Sequence, residues 1–393
     1  MADPWLTIIG IGEDGLSGLP NASRKALASA NFIFGGARHL ELVAAGARGH
    51  LWPLPFSVAP VLALRGQRVV VLASGDPFWN GVGAVLAEAL EQPEWVSHPA
   101  PSSPALAANL LGWRLEGLTV LALHAAPLSR LRPHLAPAGR LICTLRDGAA
   151  AGEVAGFLTE QGFGASRLHV LERLGGAAQR HRSTTAAGYD LSDVAAPALL
   201  AMELAGSPGL PRTAGLPDDL FLSDGQITKS PIRALTLAAL APRPGALLWD
   251  LGAGSGSVSV EWCLAGGRAV AVERRADRAQ NIRANAAAFG VDHLLQMREG
   301  AALASVPDLP AADAVFIGGG ADAALLAAVW LAIRPGTRLV INAVTLETEA
   351  LLLHWHGTDG GDLTRIDIAR AAPLGPATGW TPSRPLVQWS VQR

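Results

Sequence analysis

Cysteine is almost missing from this 393-residue chain: Cys143 and Cys263 stand far apart in apolar surroundings. Neither has a second cysteine or a histidine at metal-ligand spacing, which excludes a disulfide framework or a thiolate zinc site and leaves two core thiols in a reducing compartment. Lysine is as scarce, at Lys25 and Lys229 only, so arginine carries nearly all the positive charge. Codon bias accounts for that, and an acidic substrate is compatible with it because guanidinium forks match carboxylates. One-sided charge is lacking too: 31 basic against 33 acidic residues give a formal net charge of −2. This is not the footprint of a protein that neutralises many phosphates. No apolar run approaches the roughly 18 residues of a membrane span, and the start MADPWLTIIG has no positive leader. The expectation is a soluble, cytoplasmic protein with neither nucleic acid, membrane nor metal as partner.

What the chain does have is length and apolar content. Half of its residues are hydrophobic, which suits two or three domains rather than one core. Short apolar runs alternate throughout with longer Ala/Leu-rich segments, the pattern of parallel sheets covered by helices, so the fold class is α/β. Strands are expected near residues 5–9, 69–73, 118–123, 141–144, 168–171 and 198–203 in the first half. In the second half they are expected near 246–250, 268–273, 295–298, 314–317, 338–343, 363–369 and 386–391. Helices are expected at 231–240, from 256, at 277–289 and at 322–333. The Gly/Pro-rich stretch AGSPGLPRTAGLPDD marks a linker, giving modules at 1–205 and 220–393 joined by 206–219.

In the second module, LLWDLGAGSGSVSVEW places Asp250, Gly252, Gly254 and Gly256 between a buried strand and a helix. Glycines there let a ligand approach the backbone. A nicotinamide site would prefer a third glycine where Ser257 stands. Glu273, ending the next strand in VAVERR, is placed to hold ribose hydroxyls, and the crevice outside the strand ends is where a doubly wound sheet binds its ligand. The fourth strand is followed by Gly318, Gly319 and Gly320, with no polar side chain for an exocyclic amine. Such a bed suits a flat ring whose carbon is already nucleophilic and needs mainly in-line placement. Upstream, in SDGQITKSPIRALTL, Ser230 and Pro231 are explained by helix capping, whereas Gln226, Thr228 and Lys229 are not, and Lys229 is a candidate carboxylate ligand.

Together, DLGAGSG and VERR resemble a class I methyltransferase. With GQITK, IGGG and INAVTLET they resemble the small decarboxylating precorrin methyltransferases, the CbiT-like family, across nearly all of 220–393. The resemblance implies methylation at carbon 15 of a tetrapyrrole with loss of carbon dioxide from the carbon 12 acetate. It assigns Thr228, Asp250, Gly252, Gly254, Gly256, Glu273, Gly300 and Ala301 to S-adenosylmethionine, Gly318, Gly319 and Gly320 to the macrocycle, and Lys229, Asn342 and Glu347 to catalysis. Glu347 reads equally as a first-turn acid favouring a helix N-terminus.

The first module opens with WLTIIGIGEDGLSGLP, a G-x-G-x-x-G after a strand. The dinucleotide reading fails on its partner, because the next strand, NFIF, ends in Gly35 and Gly36 without an acid. IIGIGEDGLSGL, ANFIFGGARHL, ASGDPFWNGVG, PAPSSPALAANLLGW and PALLAMEL, in that order, resemble the class III tetrapyrrole methylases, closest to their CbiE-like subgroup. That implies a two-lobe fold with a sub-boundary near 112–117, and methylation at carbon 5. By motif, Gly10, Gly12, Gly75, Asp76, Pro77, Ser102, Ser103 and Met202 would line a methyl-donor cleft between the lobes. His124 is a candidate substrate donor, in a stretch Leu123–Ala126 that departs from the family's usual His-Gly-Arg. A two-lobe methylase followed by a Rossmann-like class I module resembles the bimodular precorrin-6 methyltransferases of the cobalamin pathway. The implied partners are a precorrin-6 substrate, one S-adenosylmethionine per module, released as S-adenosylhomocysteine, and copies of the chain itself. Two alternatives stay open: an RNA or small-molecule methyltransferase with a non-catalytic first module, and a tetrapyrrole-binding protein with one vestigial site.

Overall fold

The computed structural model describes residues 4–393; residues 1–3, which open the stretch MADPWLTIIG read above, lie outside the described residues. Two compact units are present. One runs to Leu128 and resumes over His134–Pro208, and the other comprises Gly209–Arg393 with the short stretch Ser129–Pro133.

The first sheet of the first unit contains β1 (Leu6–Ile11), β2 (Phe32–Gly35), β3 (Gly49–Leu51), β4 (Val69–Ser74) and β5 (Trp95–His98) in the order β3-β2-β4-β1-β5. All its pairings are parallel. LTIIGI and VVVLAS are continuous apolar runs because a central parallel strand is covered on both faces. Alternation then divides them: Ile9, Ile11, Val70 and Leu72 join a cluster with Leu19 and Leu27, while Leu6, Ile8, Val69 and Val71 join one with Val61 and Leu86. The helix Ser103–Leu111 ends at Gly112, in the left-handed region at φ +66°, between the two sheets of this unit and within the expected sub-boundary.

The second sheet comprises β6 (Thr119–Ala122), β7 (Arg140–Thr144), β8 (Arg167–Glu172), β9 (Arg180–Thr185) and β10 (Ala198–Glu203) in the order β6-β7-β10-β8-β9. Only β6 and β7 run parallel. The edge strand β9, RHRSTT, was not foreseen, since nothing apolar alternates along it. It is held by charge: Arg180 and Arg182 converge on the buried Glu172, at 2.6 and 3.1 Å.

The second unit has β11 (Leu247–Leu251), β12 (Arg268–Glu273), β13 (Leu295–Glu299), β14 (Ala314–Ile317), β15 (Arg338–Ala343), β16 (Asp362–Ile366), β17 (Ala369–Leu374), β18 (Ala377–Pro382) and β19 (Leu386–Gln392). Seven of them form one sheet, β13-β12-β11-β14-β15-β19-β16, and β17 and β18 form a separate hairpin. β11 to β15 are parallel, and β19 runs antiparallel to both its neighbours. Helices Ser230–Leu240, Ser257–Leu264 and Ala276–Ala288 cover one face through Leu237, Val260 and Ile282. Ala323–Ala332 and Leu346–Asp359 cover the other through Leu326 and Leu352.

The expected linker is not a loose tether. Leu216 is buried in the second unit's core, and the amides of Gly215 and Leu216 donate to Glu261 at 2.6 and 3.0 Å. Fully buried Arg233 sits between Glu261 (2.5 Å) and Asp218 (3.1 Å) and also donates to the carbonyls of Thr228 and Leu216. No helix among the described residues is long and apolar enough to cross a membrane.

Candidate functional site

In the second unit the carboxyl ends of β11, β12, β14 and β15 open onto a cavity of about 850 Å³. One side is a cradle of backbone. Gly252, Ala253, Gly254, Gly300 and Ala301 line it, with Thr228 and Lys229 from the segment before the helix Ser230–Leu240. Gly254 has φ +61°, and a Cβ built on it would meet only the Gln226 carbonyl, at 3.6 Å. A larger side chain there would be strained in backbone and would project into the cavity. Gly256 is outside the lining; its missing Cβ makes room for Ile282, so it serves helix packing rather than ligand approach.

Glu273 lines the cavity and is buried. Its two oxygens accept from the amides of Gly254 and Arg275, each at 3.0 Å. Each oxygen keeps acceptor capacity toward the cavity, which suits a pair of vicinal hydroxyls. Asp250, by contrast, lies beneath the loop and outside the lining. Its Oδ2 accepts from Ser259 at 2.6 Å and its buried Oδ1 has no hydrogen-bond partner. Burial pushes this carboxyl up to about 6, the Glu273 charge adds to the rise, and the Ser259 bond opposes it. Asp250 is thus bonded to the helix Ser257–Leu264 and does not reach the cavity wall.

Elsewhere the cavity is lined by Gly318, Gly319 and Gly320 and by the apolar side chains Val344, Ile366, Ile368 and Leu386. Asn342 reaches the lining but is buried, and its amide is spent internally. Nδ2 donates to Thr236 at 2.9 Å, and Oδ1 accepts from Gln388 at 2.9 Å. Glu347 is exposed in the first turn of the helix Leu346–Asp359 and is not part of the wall; its reading as a helix-terminus acid is the one this position fits. Lys229 is at the wall, its Nζ 3.8 Å from Asp218. Four cations at the wall were not singled out from sequence: Arg274, Arg278, Arg370 and Arg384. Arg278 is tied to Asp224 at 2.8 Å.

In the first unit the loops after β1, β4 and β5 meet. A Cβ on Gly10 would overlap the Gly75 carbonyl, and Gly75, at φ +57°, packs against Pro101 and Ser102. Gly75 N donates to the Ile11 carbonyl at 3.0 Å and Ala100 N to that of Gly75 at 3.2 Å. Gly12 is in the loop after β1, while Asp76 caps its own turn by accepting from Phe78 N at 2.8 Å and Pro77 is buried beside it. Ser102 caps the helix that Ser103 begins. Met202 is fully buried in β10, so its side chain belongs to the second lobe's core. Exposed His124 pairs with Thr144 at 3.1 Å. One cluster was missed although its motif, GGARHL, was noticed: Arg38 pairs with Glu13, and Arg38 and His39 meet Ser74 at 3.1 and 2.8 Å. Burial, with the Arg38 charge beside it, pushes His39 down to about 4, leaving it neutral at pH 7. Among the described residues no group of three or more His, Cys, Asp or Glu is arranged to hold a metal.

The fold, with the second unit's crevice, defines a two-lobe methylase joined to a Rossmann-like methyltransferase. Residues 6–189 match the family model of tetrapyrrole (corrin/porphyrin) methylases, and residues 219–393 match that of the precorrin methyltransferase domain. A protein of Sinorhizobium sp named precorrin-6Y C(5,15)-methyltransferase [decarboxylating] is 48% identical, the match covering 99% of this chain and 97% of that one. A protein of the same name from Mycobacterium tuberculosis is 40% identical over 99% of this chain and 100% of its own. The solved C-terminal domain of precorrin-6Y C5,15-methyltransferase from Rhodobacter capsulatus is 58% identical, covering 47% of this chain and 100% of its own, with a TM-score of 0.46. The chain belongs to the precorrin-6Y C(5,15)-methyltransferase (decarboxylating) family.

Proposed function

We propose that the two units divide one step of cobalamin biosynthesis, acting in the cytoplasm on precorrin-6. The first unit methylates carbon 5. The second methylates carbon 15 and releases the carboxyl group of the carbon 12 acetate as carbon dioxide, a proton taking its place so that a methyl group remains on the ring. Each unit uses its own S-adenosylmethionine. The observation that carries this reading is the second unit's cavity, in which a backbone cradle and the buried Glu273 share one lining with three consecutive glycines and apolar side chains.

S-Adenosylmethionine supplies a methyl group on a sulfonium sulfur, which departs with the electrons of the broken bond as a ring carbon bonds to the methyl. The residues of the cradle fit that donor. Gly252 and Gly254 admit its chain to backbone distance, Glu273 accepts from the ribose hydroxyls, and Thr228, Gly300 and Ala301 complete the wall. Gly318, Gly319 and Gly320 let the macrocycle lie flat, so that the reacting carbon faces the methyl in line, and orientation provides the main share of the acceleration. Lys229 meets a substrate carboxylate. Asn342 holds the end of β15 in register with β19 behind the reacting carbon. In the first unit, Gly10, Gly12, Gly75, Asp76, Pro77 and the Ser102–Ser103 turn are assigned to the second donor, and His124 to the substrate.

The test is mass spectrometry of precorrin-6 incubated with the full chain and isotopically labelled donor. Two added methyls and one lost carboxylate are expected. Gly254→Arg should abolish the carbon 15 methyl and the decarboxylation and leave carbon 5 methylation measurable. Loss of both methylations in a folded Gly254→Arg protein would overturn the division of labour.

A further inference from the structure

We propose that Arg370 and Arg384 hold rim carboxylates of the tetrapyrrole in the second unit and so set which ring carbon faces the methyl donor. This deepens the functional reading above and rests on it.

The two guanidiniums stand at the root of the β17–β18 hairpin. There β19 begins beside the end of β15, with Ala343 opposite Val387, and β16 ends beside β19, with Ile366 opposite Leu386. A bond from Ser383 N to the Ile368 carbonyl at 2.8 Å closes the root. In the sheet order this root lies at the β15, β19 and β16 side, whereas Glu273 and the glycine cradle lie at the ends of β12 and β11. Arg370 and Arg384 nevertheless line the same cavity as Glu273, so they face the donor bed from the acceptor side.

Their charges are unspent. Among the described residues neither guanidinium has an ion-pair or hydrogen-bond partner, whereas Arg278, on the same wall, is bound to Asp224. The hairpin itself provides no neutralising group, because residues 369–385, ARAAPLGPATGWTPSRP, contain no acid and no charge besides these two arginines, and the neighbouring Asp367 is paired with Arg365 at 3.2 Å. Between them the wall is apolar, with Ile366, Ile368 and Leu386. An apolar floor edged by unpaired arginines matches a flat macrocycle whose ring is hydrophobic and whose periphery carries acetate and propionate groups. Guanidinium forks bind such carboxylates with two parallel hydrogen bonds, giving orientation as well as affinity.

The experiment compares the full wild-type chain with the Arg370→Ala/Arg384→Ala double variant and with Arg370→Lys/Arg384→Lys, following methylation at carbon 15 and measuring donor affinity by calorimetry. In the alanine variant the KM for the macrocycle should rise on the order of tenfold or more, with donor affinity unchanged. The lysine variant should recover part of the loss, and methyl-esterified macrocycle should no longer distinguish wild type from the alanine variant. An unchanged macrocycle KM would overturn the proposal. So would a parallel loss of donor binding, which would mean that the arginines support the hairpin's structure instead. Should the wild type itself leave carbon 15 unmethylated, the functional reading fails first and this inference with it.

Discussion

At the residue scale the second unit keeps one carboxyl in an unfavourable place. Asp250 is buried with one oxygen unpartnered, and its carboxyl titrates at about 6, against about 3.9 in an unfolded chain. The fold thus favours its protonated form. Its stabilising share is full below pH 4, falls away as pH rises through 6, and is absent at pH 7. Asp250→Asn removes that dependence, so the stability of wild type relative to the variant should drop by about 2–3 kcal/mol between pH 4 and pH 7. Urea midpoints of both proteins at the two pH values measure the difference. A gap that stays constant with pH would show that Asp250 is not the buried acid described.

At the scale of elements, the amide of Asn342 joins three of them. It bonds to Thr236 on the helix Ser230–Leu240 and to Gln388 on β19, from its own place on β15. Asn342→Ala leaves Gln388 short of an acceptor and should cost about 1–3 kcal/mol. Gln388→Ala should cost a similar amount, and the double variant less than the sum by about 1 kcal/mol, as expected of contacting residues. Additive losses in denaturant unfolding would contradict a shared network. That network also marks a limit of the sequence reading. INAVTLET was recognisable as a motif, but Gln388 comes 46 residues later, and nothing local announces that Asn342 faces it. The glycine cradle and Glu273 were legible because positive φ values and strand-end acids are local features with local signatures. Strand β9 and the β17–β18 hairpin were not: RHRSTT carries no apolar alternation, ARAAPL is broken by Pro373, and ATGWTP by Gly379. Arg233 was hidden for a third reason, since an arginine in a helix reads as surface until its partners Glu261 and Asp218 are known.

For the whole molecule, the proposed pair of methyl-donor sites implies a countable quantity. Calorimetric titration of the intact chain with S-adenosylhomocysteine should saturate at two equivalents, and Gly254→Arg should reduce this to one. One equivalent in the wild type would leave a vestigial site and return the chain to the tetrapyrrole-binding alternative. The connecting stretch matters here because it is not slack: with Gly215 and Leu216 bonded to Glu261, the second unit starts well before its first helix and carries the Thr228–Lys229 wall on a fastened backbone.

Glu273 is fixed by the amides of Gly254 and Arg275 before anything enters the crevice. On the proposed reading, a donor's ribose would meet acceptors that are already aimed and need no reordering of a side chain, so capture in this unit should be governed by the rate of encounter rather than by a rearrangement that follows it.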